Sequence, residues 1–210
     1  MGRENKKEEV ATLHREIILN ATQQLFSEKG FEKTTIDDIS KSAGYSRRTI
    51  YAYYESKEDI LHHIIRNGLI LLKDDVEKAI EDNSGFIQQY NGICRAMYRY
   101  QRDCPCSVEN VNKFSGNDGD FESISHTVKD IFALGTEINQ ILEIFIEKGK
   151  NDGVVRQDVV PLMTVYVLWS GITSLIDMVS TKGKFLCKQF STTEEEFLEY
   201  GFRQIINGIV

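Results

Sequence analysis

Apolar residues recur every three or four positions along most of this chain, which is the spacing of one face of an α-helix. Near the N-terminus Ile18, Ala21 and Leu25 share such a face, and similar faces follow as far as Ile209. No convincing strand pattern is present. The chain holds only two prolines, which favours long helices because proline interrupts them. The sequence therefore predicts an all-α protein of about nine helices.

The predicted helices end where glycines or polar clusters interrupt the pattern. We expect the charged residues 1–10 to fray and residues 103–120 to be the least regular stretch. A long helix over residues 56–79 is expected to connect a DNA-binding domain of residues 1–55 to a larger domain of residues 56–210. The helices are expected at about residues 10–29, 36–42, 47–53, 56–79, 86–102, 121–134, 137–148, 161–180 and 194–209.

Two short helices joined by a tight turn stand out in the N-terminal part. Thr34 or Thr35 can accept hydrogen bonds from the first free backbone amides of a helix over residues 36–42. Gly44 tolerates the left-handed backbone with which helices end, and Ser46 can cap the next helix. Two helices across a short turn that contains glycine form a helix-turn-helix unit.

The second of these helices has distinct faces. Ile50 and Tyr54 lie four residues apart and are expected to pack inward. Arg48 and Thr49, with Ala52, then point outward, and Tyr51 and Tyr53 lie on the flanks. An outward face of arginine and small methyl-bearing side chains suits the DNA major groove, where arginine binds guanine and methyl groups meet thymine. An ordinary solvated surface helix is the alternative interpretation.

Residues 15–65 resemble the DNA-binding region of the TetR family of transcriptional regulators. The shared features are the F-S-E-K-G-F end of the first helix, Thr-Thr, Ala-Gly-x-Ser, Thr-Ile-Tyr-x-Tyr-Tyr and Ser-Lys-Glu. The resemblance implies base and phosphate contacts from the recognition helix and a phosphate contact from the lysine that starts the fourth helix. With the capping hydroxyls included, the predicted DNA-binding residues are Thr34, Thr35, Ser46, Arg47, Arg48, Thr49, Tyr51, Tyr53 and Lys57.

Two positions depart from the family pattern. Ala52 stands where some members carry an aromatic contact, and Asp37 places a negative charge where others have a polar or basic side chain. The operator sequence therefore cannot be carried over from the family.

The charge of the chain is unevenly distributed. The net charge is −7, which by itself argues against a nucleic-acid partner. Residues 1–66 nevertheless hold 11 basic and 11 acidic side chains, and residues 41–57 hold four basic against one acidic. Phosphate contacts need a local basic patch rather than a basic protein. We therefore still predict that the helix-turn-helix segment binds double-stranded DNA.

The segment from Leu162 to Val179 has more apolar residues than one buried face requires. Such a helix is buried on more than one side, either in a core or against a second subunit. The family resemblance implies a homodimer through the last two helices, and a two-fold dimer would bind a palindromic operator. Phe197, Leu198 and Ile205 are the predicted interface residues.

The resemblance also implies a small-molecule effector in the larger domain, for a repressor that leaves its operator when the effector binds. Aromatic and soft side chains in an acidic domain favour an apolar or cationic effector. Each of these residues is also a reasonable core residue. The candidate effector-binding residues are Tyr90, Cys94, Met97, Phe121, His126 and Trp169.

The sequence contains no motif of a known catalytic or nucleotide-binding site, so we predict no enzyme activity, no cofactor and no metal site. Neither a secretory signal nor a run of 18 apolar residues is present, so we expect a cytoplasmic protein without a membrane partner. Cys104 and Cys106 form a C-x-C, not the C-x-x-C of redox or zinc sites. A thiol- or metal-dependent helical protein, or a regulator without a small-molecule ligand, remain the alternatives.

Overall fold

A computed structural model describes residues 2–111 and 125–210, and these residues form nine α-helices and no strand. The expected all-α fold of about nine helices is confirmed. The helices, in chain order, are α1 Gly2–Lys29, α2 Ile36–Ala43, α3 Arg47–Tyr53, α4 Lys57–Glu81, α5 Phe86–Asp103, α6 Pro105–Val111, α7 His126–Asn151, α8 Pro161–Phe190 and α9 Glu194–Ile206.

The chain divides by its contacts into two compact units. The first comprises Met1–Gly68 and Pro105–Ile131, and the second comprises Leu69–Cys104 and Phe132–Val210. Helices α4 and α7 each contribute residues to both units. This division differs from the domain boundary that we predicted between residues 55 and 56, because the first turns of α4 and the helix α6 pack with the N-terminal helices.

The core of the first unit is built by isoleucines from four helices. Ile18 of α1, Ile39 of α2, Ile50 of α3 and Ile60 of α4 are all fully buried. Helix α1 packs against α2 and α6, and α2 packs against α3. These contacts hold the two short helices at a fixed angle, which helices of seven or eight residues would not keep alone.

Helices α5, α8 and α9 form the centre of the second unit. The hydroxyl of Tyr90 on α5 donates to the carbonyl of Phe202 on α9 at 2.9 Å. Phe86 and Phe145 stack with their ring centroids 4.5 Å apart. Both contacts use an aromatic ring as buried packing surface, and the bonded hydroxyl of Tyr90 leaves no unsatisfied polar group behind.

Several predicted helix boundaries are wrong. Helix α1 begins at Gly2 rather than near residue 10, and α6 occupies residues expected to be irregular. Helix α7 runs unbroken through Gly135, where we expected two helices. Buried residues on both sides of Gly135, such as Ile131 and Ile138, outweigh the helix cost of about 1 kcal/mol for one glycine. The predicted loop at residues 115–119 and the predicted start of a helix at residue 121 lie outside the described residues.

Helix α8 continues ten residues beyond its predicted end near Ser180. Gly183 does not end the helix but is buried against the side chain of Glu194, whose carboxylate end would have to move to make room for a Cβ atom. The helix instead ends at Ser191, which has the left-handed φ of 52°. Tertiary packing thus overrides the usual meaning of a Thr-Lys-Gly-Lys segment.

By length and composition, α8 would also suffice to cross a membrane, with 33% of the relevant window buried in the protein. This departs from the expectation of no such helix. Asp177 is the single charged residue in the first twenty of α8, so it interrupts the apolar run without making the helix polar. One face, with Leu168, Ile172 and Ile176, is buried within the second unit.

Two adjacent histidines on α4 predict a pH-dependent stability. Burial lowers the pKa of both His62 and His63, against the opposing effect of Asp59. As the pH falls through about 6.5 the unfolded chain binds protons before the folded chain does. The free energy of unfolding is therefore expected to fall from about pH 7.5 to pH 5.5, above the range where carboxylates titrate.

Urea unfolding at both pH values measures this effect. The double variant His62→Gln and His63→Gln should show a smaller fall than the natural protein. His126→Gln, at the exposed start of α7, should keep the full fall. An equal fall in the double variant would contradict the assignment to these two histidines.

Candidate nucleic-acid interface

The helix-turn-helix unit is set by caps at both of its short helices. The hydroxyl of Thr35 accepts from the backbone amide of Asp38 at 3.2 Å, and the Asp38 carboxylate accepts from the Thr35 amide at 2.9 Å. Gly44 has the left-handed φ of 71°. The Ser46 hydroxyl accepts from the amide of Thr49 at 3.1 Å. The predicted capping roles of Thr35, Gly44 and Ser46 are confirmed.

The inner face of α3 is also as predicted. Ile50 is fully buried and Tyr54 is 2% exposed. The hydroxyl of Tyr54 donates to the carbonyl of Arg15 on α1 at 3.3 Å. Burial raises the pKa of Tyr54 to about 12, so the hydroxyl stays protonated and keeps this bond at any ordinary pH. This contact fixes the rotation of α3 about its own axis and therefore decides which side chains face outward.

Arg48, Tyr51 and Ala52 are exposed, and Thr49 is half-buried. Within residues 2–111 and 125–210 the Arg48 guanidinium has no ion-pair or hydrogen-bond partner. Tyr51 is 55% exposed. A free guanidinium beside methyl groups and a phenol is the set of groups that can bind base edges and phosphates in a major groove.

Arg47 is not free, although it is exposed. Its Nε and Nη2 atoms donate to the two carboxylate oxygens of Asp37 on α2. The Asp37 carboxylate, through hydrogen bonding and then charge attraction, raises the pKa of Arg47 above its ordinary value. The predicted contact residue therefore carries its own counter-ion in the free protein.

Tyr53 is held by a residue that the sequence pattern did not single out. The Nδ1 atom of His14 on α1 lies 2.9 Å from the Tyr53 hydroxyl. The His14 ring also packs against Tyr45, with centroids 5.1 Å apart. The signal in the sequence is weak, because His14 and Tyr53 are 39 residues apart and the helical pattern of α1 does not distinguish this histidine.

Lys57 contacts the protein itself. Its ammonium donates to the carbonyls of Phe31 and Thr34 at 2.9 and 3.1 Å, and it lies 4.1 Å from the centroid of the Phe31 ring. The ammonium satisfies backbone carbonyls of the turn between α1 and α2. The phosphate contact implied by the family resemblance stays a prediction, and a structural role is added to it.

Replacing Lys57 by methionine should lower the free energy of unfolding by about 1–3 kcal/mol, because two backbone carbonyls lose their charged donor. The methionine keeps most of the apolar stem, so the packing on Phe31 changes little. Urea unfolding measures the loss. Lys41→Met, an exposed lysine on α2, is the matched control and should change stability by less than about 0.5 kcal/mol. Equal stability of the two variants would contradict the structural role.

Three predicted DNA-binding residues have local structural roles. Thr34 is 1% exposed and its hydroxyl donates to the Gly30 carbonyl at 2.8 Å. Its side chain cannot reach DNA, so the prediction for Thr34 is wrong. Thr35 and Ser46 are exposed but cap their helices, and the Ser46 hydroxyl lies 2.9 Å from that of Thr49. Their DNA contacts stay a prediction.

The predicted effector-binding residues are not all brought together. Tyr90, Met97 and Trp169 line a small apolar cavity of about 20 Å³ in the second unit, room for about one water molecule. Cys94 is fully buried on the same helix as Tyr90. His126 belongs to the first unit, and its side chain is 90% exposed beside Asp130. Phe121 lies outside the described residues. The other residues that line the cavity are Ile93, Leu142, Phe145, Ile146, Val165, Leu168 and Ile172.

Two of the buried thiols lie in surroundings that disfavour redox or metal chemistry. Burial raises the pKa of Cys94 to about 12 and also raises the pKa of Cys104. A thiol must lose its proton to attack or to bind a metal, so both changes reduce reactivity. Cys106 is buried as well. Across the part of the chain that the structure describes, no three His, Cys, Asp or Glu side chains cluster as metal ligands do.

Comparison with known families matches residues 18–64, the helix-turn-helix region, to the bacterial regulatory proteins of the tetR family. The regulator HbdR of Aromatoleum sp. strain CIB is 34% identical over 83 residues, which are 40% of this chain and 35% of HbdR. IcaR of Staphylococcus epidermidis, a negative regulator of the biofilm operon icaADBC, is 36% identical over 66 residues, 31% of this chain and 36% of IcaR. The chain thus spans about a third of the length of these relatives.

A solved structure extends the likeness in fold to nearly the whole chain. The regulator FadR of Bacillus subtilis, in complex with stearoyl-CoA, superposes with a TM-score of 0.70 over 92% of this chain and 98% of FadR. Their sequences are 15% identical, so this match concerns the fold alone. The capped helix-turn-helix unit lies within residues 18–64, the region of this chain that matches the bacterial regulatory proteins of the tetR family.

Proposed function

We propose that this chain is a cytoplasmic transcriptional regulator that binds double-stranded DNA in sequence-specific fashion. The observation that carries the proposal is the free, exposed guanidinium of Arg48 at the centre of the outward face of α3. The caps and the buried Ile50 and Tyr54 hold that face outward. The helix that carries Arg48 is thus held in position before binding, which lowers the cost of ordering the interface.

The test is to measure binding of labelled DNA from upstream of the chain's own gene by fluorescence anisotropy, against random DNA of equal length. Specific affinity at physiological salt is expected in the range of about 10⁻⁸ to 10⁻¹¹ M, against about 10⁻⁴ to 10⁻⁶ M for random DNA. If genomic fragments and random DNA bind equally at every salt concentration, the protein does not read sequence and the proposal fails.

We further propose that the chain works as a homodimer on a palindromic operator. Helix α8 buries one face within its own unit but exposes Met163, Val167 and Phe185 at 69%, 69% and 65%. Such large apolar residues on one exposed helix mark an interaction surface. A two-fold dimer places two α3 helices about 34–36 Å apart, one turn of DNA, or at a multiple of that spacing.

The proposed dimer requires one correction to the predicted interface residues. Leu198 is 5% exposed in a single subunit, and Phe197 and Ile205 are half-buried. Ile205 lies against Gly171 of α8. Substituting these residues would disturb the subunit itself, so the exposed residues of α8 are the better test positions.

Repression with release by an effector is the regulatory mode we propose. The relative IcaR is named as a negative regulator, and the structural neighbour FadR was solved with stearoyl-CoA. The small cavity around Trp169 is lined by apolar and aromatic side chains and by no carboxylate, so we retain an apolar effector and drop a cationic one. A molecule larger than water would have to open this cavity. Helices α4 and α7 contribute to both units, so they are the segments through which we propose such an opening to act.

Titration with a long-chain acyl-CoA, as the probe, tests the effector. Binding in the cavity should change Trp169 fluorescence and lower operator affinity by about 5- to 150-fold, the usual range of coupling. A larger groove of about 480 Å³ runs between α5 and α9 and is lined by Arg95, Phe202 and others, but not by Trp169. A loss of operator affinity without any change at Trp169 would place the effector outside the cavity.

A further inference from the structure

Arg47 and Arg48 are neighbours at the start of the recognition helix, but they differ in their surroundings. Arg48 has no charged partner among the described residues. In contrast, the Nε and Nη2 atoms of Arg47 both donate to the Asp37 carboxylate. The two side chains of this pair are 62% and 46% exposed. The pair is therefore at the surface, where it can open, and not part of the core.

Apart from its place in the first turn of α2, Asp37 has no hydrogen-bond or ion-pair partner other than Arg47 in the described residues. The neighbouring Asp38 supplies the capping contact to Thr35 and the ion pair with Lys29 at 2.8 Å. Lys29 and then Thr35 hold the pKa of Asp38 well below its usual range. Asp37, in contrast, makes no bond other than the two to Arg47. Its one contact is with a side chain expected to reach the DNA backbone.

Three cations of this unit are engaged within the protein itself. Lys57 donates to backbone carbonyls, Lys29 is paired with Asp38, and Arg47 is paired with Asp37. Each arginine that is free to neutralise a phosphate strengthens binding even to DNA that lacks the operator, since phosphates carry no sequence information. Pairing within the protein thus lowers the affinity that does not depend on sequence.

We propose that Asp37 is a specificity-determining residue, which holds Arg47 away from phosphates so that binding depends on the base contacts of α3. In a random sequence the complex consists of phosphate contacts only, and the carboxylate both removes one of them and repels the backbone. At the operator, base contacts fix the position of α3 in the groove, so a freed Arg47 cannot shift to its best phosphate as it can on random DNA, and the gain in affinity is smaller. The proposal rests on the proposed function of sequence-specific DNA binding.

The variant Asp37→Asn tests the proposal because it removes the charge while keeping the shape. For random DNA, the logarithmic salt dependence should steepen by about 0.9, the value for one added phosphate contact, and the affinity at 0.15 M salt should rise about fivefold. Affinity for the operator should rise by less than about twofold, so the ratio of operator to random affinity falls. Fluorescence anisotropy from about 50 to 300 mM salt gives both quantities.

Two matched variants isolate the pair. Glu32→Gln removes one exposed negative charge from the same unit and should leave the salt dependence unchanged. Asp37→Asn combined with Arg47→Met should lose the gain in random-DNA affinity, because the freed arginine is then absent. Melting curves of all variants should match that of the natural protein, since an exposed pair adds little stability.

The outcomes separate this proposal from the proposed function. If the natural protein selects its operator but Asp37→Asn behaves like Glu32→Gln, the assignment of Asp37 is overturned and the regulator function stands. The assignment of Asp37 is also overturned if Asp37→Asn combined with Arg47→Met keeps the gain in random-DNA affinity. If the natural protein shows no preference for any sequence, both proposals are overturned together.

Discussion

Replacing Arg48 by alanine is expected to cost about 1–3 kcal/mol of operator binding, which is about a 5- to 150-fold loss of affinity, because a bidentate contact to guanine is lost. The structure supports this choice of residue. Arg48 is exposed and free of partners in the described part of the chain, whereas Arg47 and Lys57 are both engaged within the protein. Affinity for random DNA should fall much less, so the ratio of operator affinity to random-DNA affinity should decrease.

Lys41→Ala is the matched control for this experiment. Lys41 is an exposed cation on α2, so its removal takes away the same charge without touching the outward face of α3. The substitution should lower the affinity for operator DNA and for random DNA by similar factors. If Arg48→Ala lowers the affinity for operator and for random DNA by equal factors, as the control does, then Arg48 contacts phosphate and the base-reading face is elsewhere.

The second large effect is expected at the proposed dimer surface. Val167→Asp should raise the dissociation constant of the dimer by at least about 100-fold. Each subunit loses the burial of one valine, about 1.5 kcal/mol per copy. Both aspartates would also lie at a symmetric interface, where a charge meets its own copy. Sedimentation equilibrium over a range of protein concentration measures the change, and Phe185→Asp should act in the same way.

Because Val167 is 69% exposed in the single subunit, its substitution should leave the fold of the monomer intact. Ile144→Asp on α7 is the matched control, since Ile144 is also 69% exposed but lies on neither α8 nor α9. It should keep the natural dissociation constant. The same constant in Val167→Asp, Phe185→Asp and the control would rule out α8 as the interface.

Operator binding offers an independent reading of the dimer. A monomer contacts one half-site, so Val167→Asp should bind a palindromic operator with much reduced affinity and a shallower salt dependence. Half-site DNA should bind the variant and the natural protein alike. This comparison separates a loss of assembly from damage to α3.

Local chemistry specifies the helix-turn-helix unit, and for that reason the residue pattern predicts it correctly. Capping residues at Thr35 and Ser46, the left-handed Gly44, and Ile50 four residues before Tyr54 each act over less than one or two turns of helix. Interactions of that range depend on residues close in sequence, so the pattern contains them. The start of α8 at Pro161 and the capping box of Thr193 with Glu196 were predictable for the same reason.

Helix ends that depend on tertiary packing could not be predicted from the local sequence. Glycine at positions 135 and 183 normally marks the end of a helix, yet both lie inside long helices. At Gly183 the reason is the close approach of Glu194 from α9. Partners of this kind are chosen by the tertiary fold, and their contacts outweigh the preference of a single residue.

Periodicity and caps are enough to predict the all-α class, the helix proposed to face DNA and its outward side, because both signals are local. Which cations on that surface are free depends instead on the folded chain. The fold pairs Arg47 with Asp37 across ten residues, binds Lys57 to the turn after α1, and joins His14 to Tyr53 across 39 residues. The charge of a side chain follows from its residue type, but its availability depends on what the fold brings within hydrogen-bond distance.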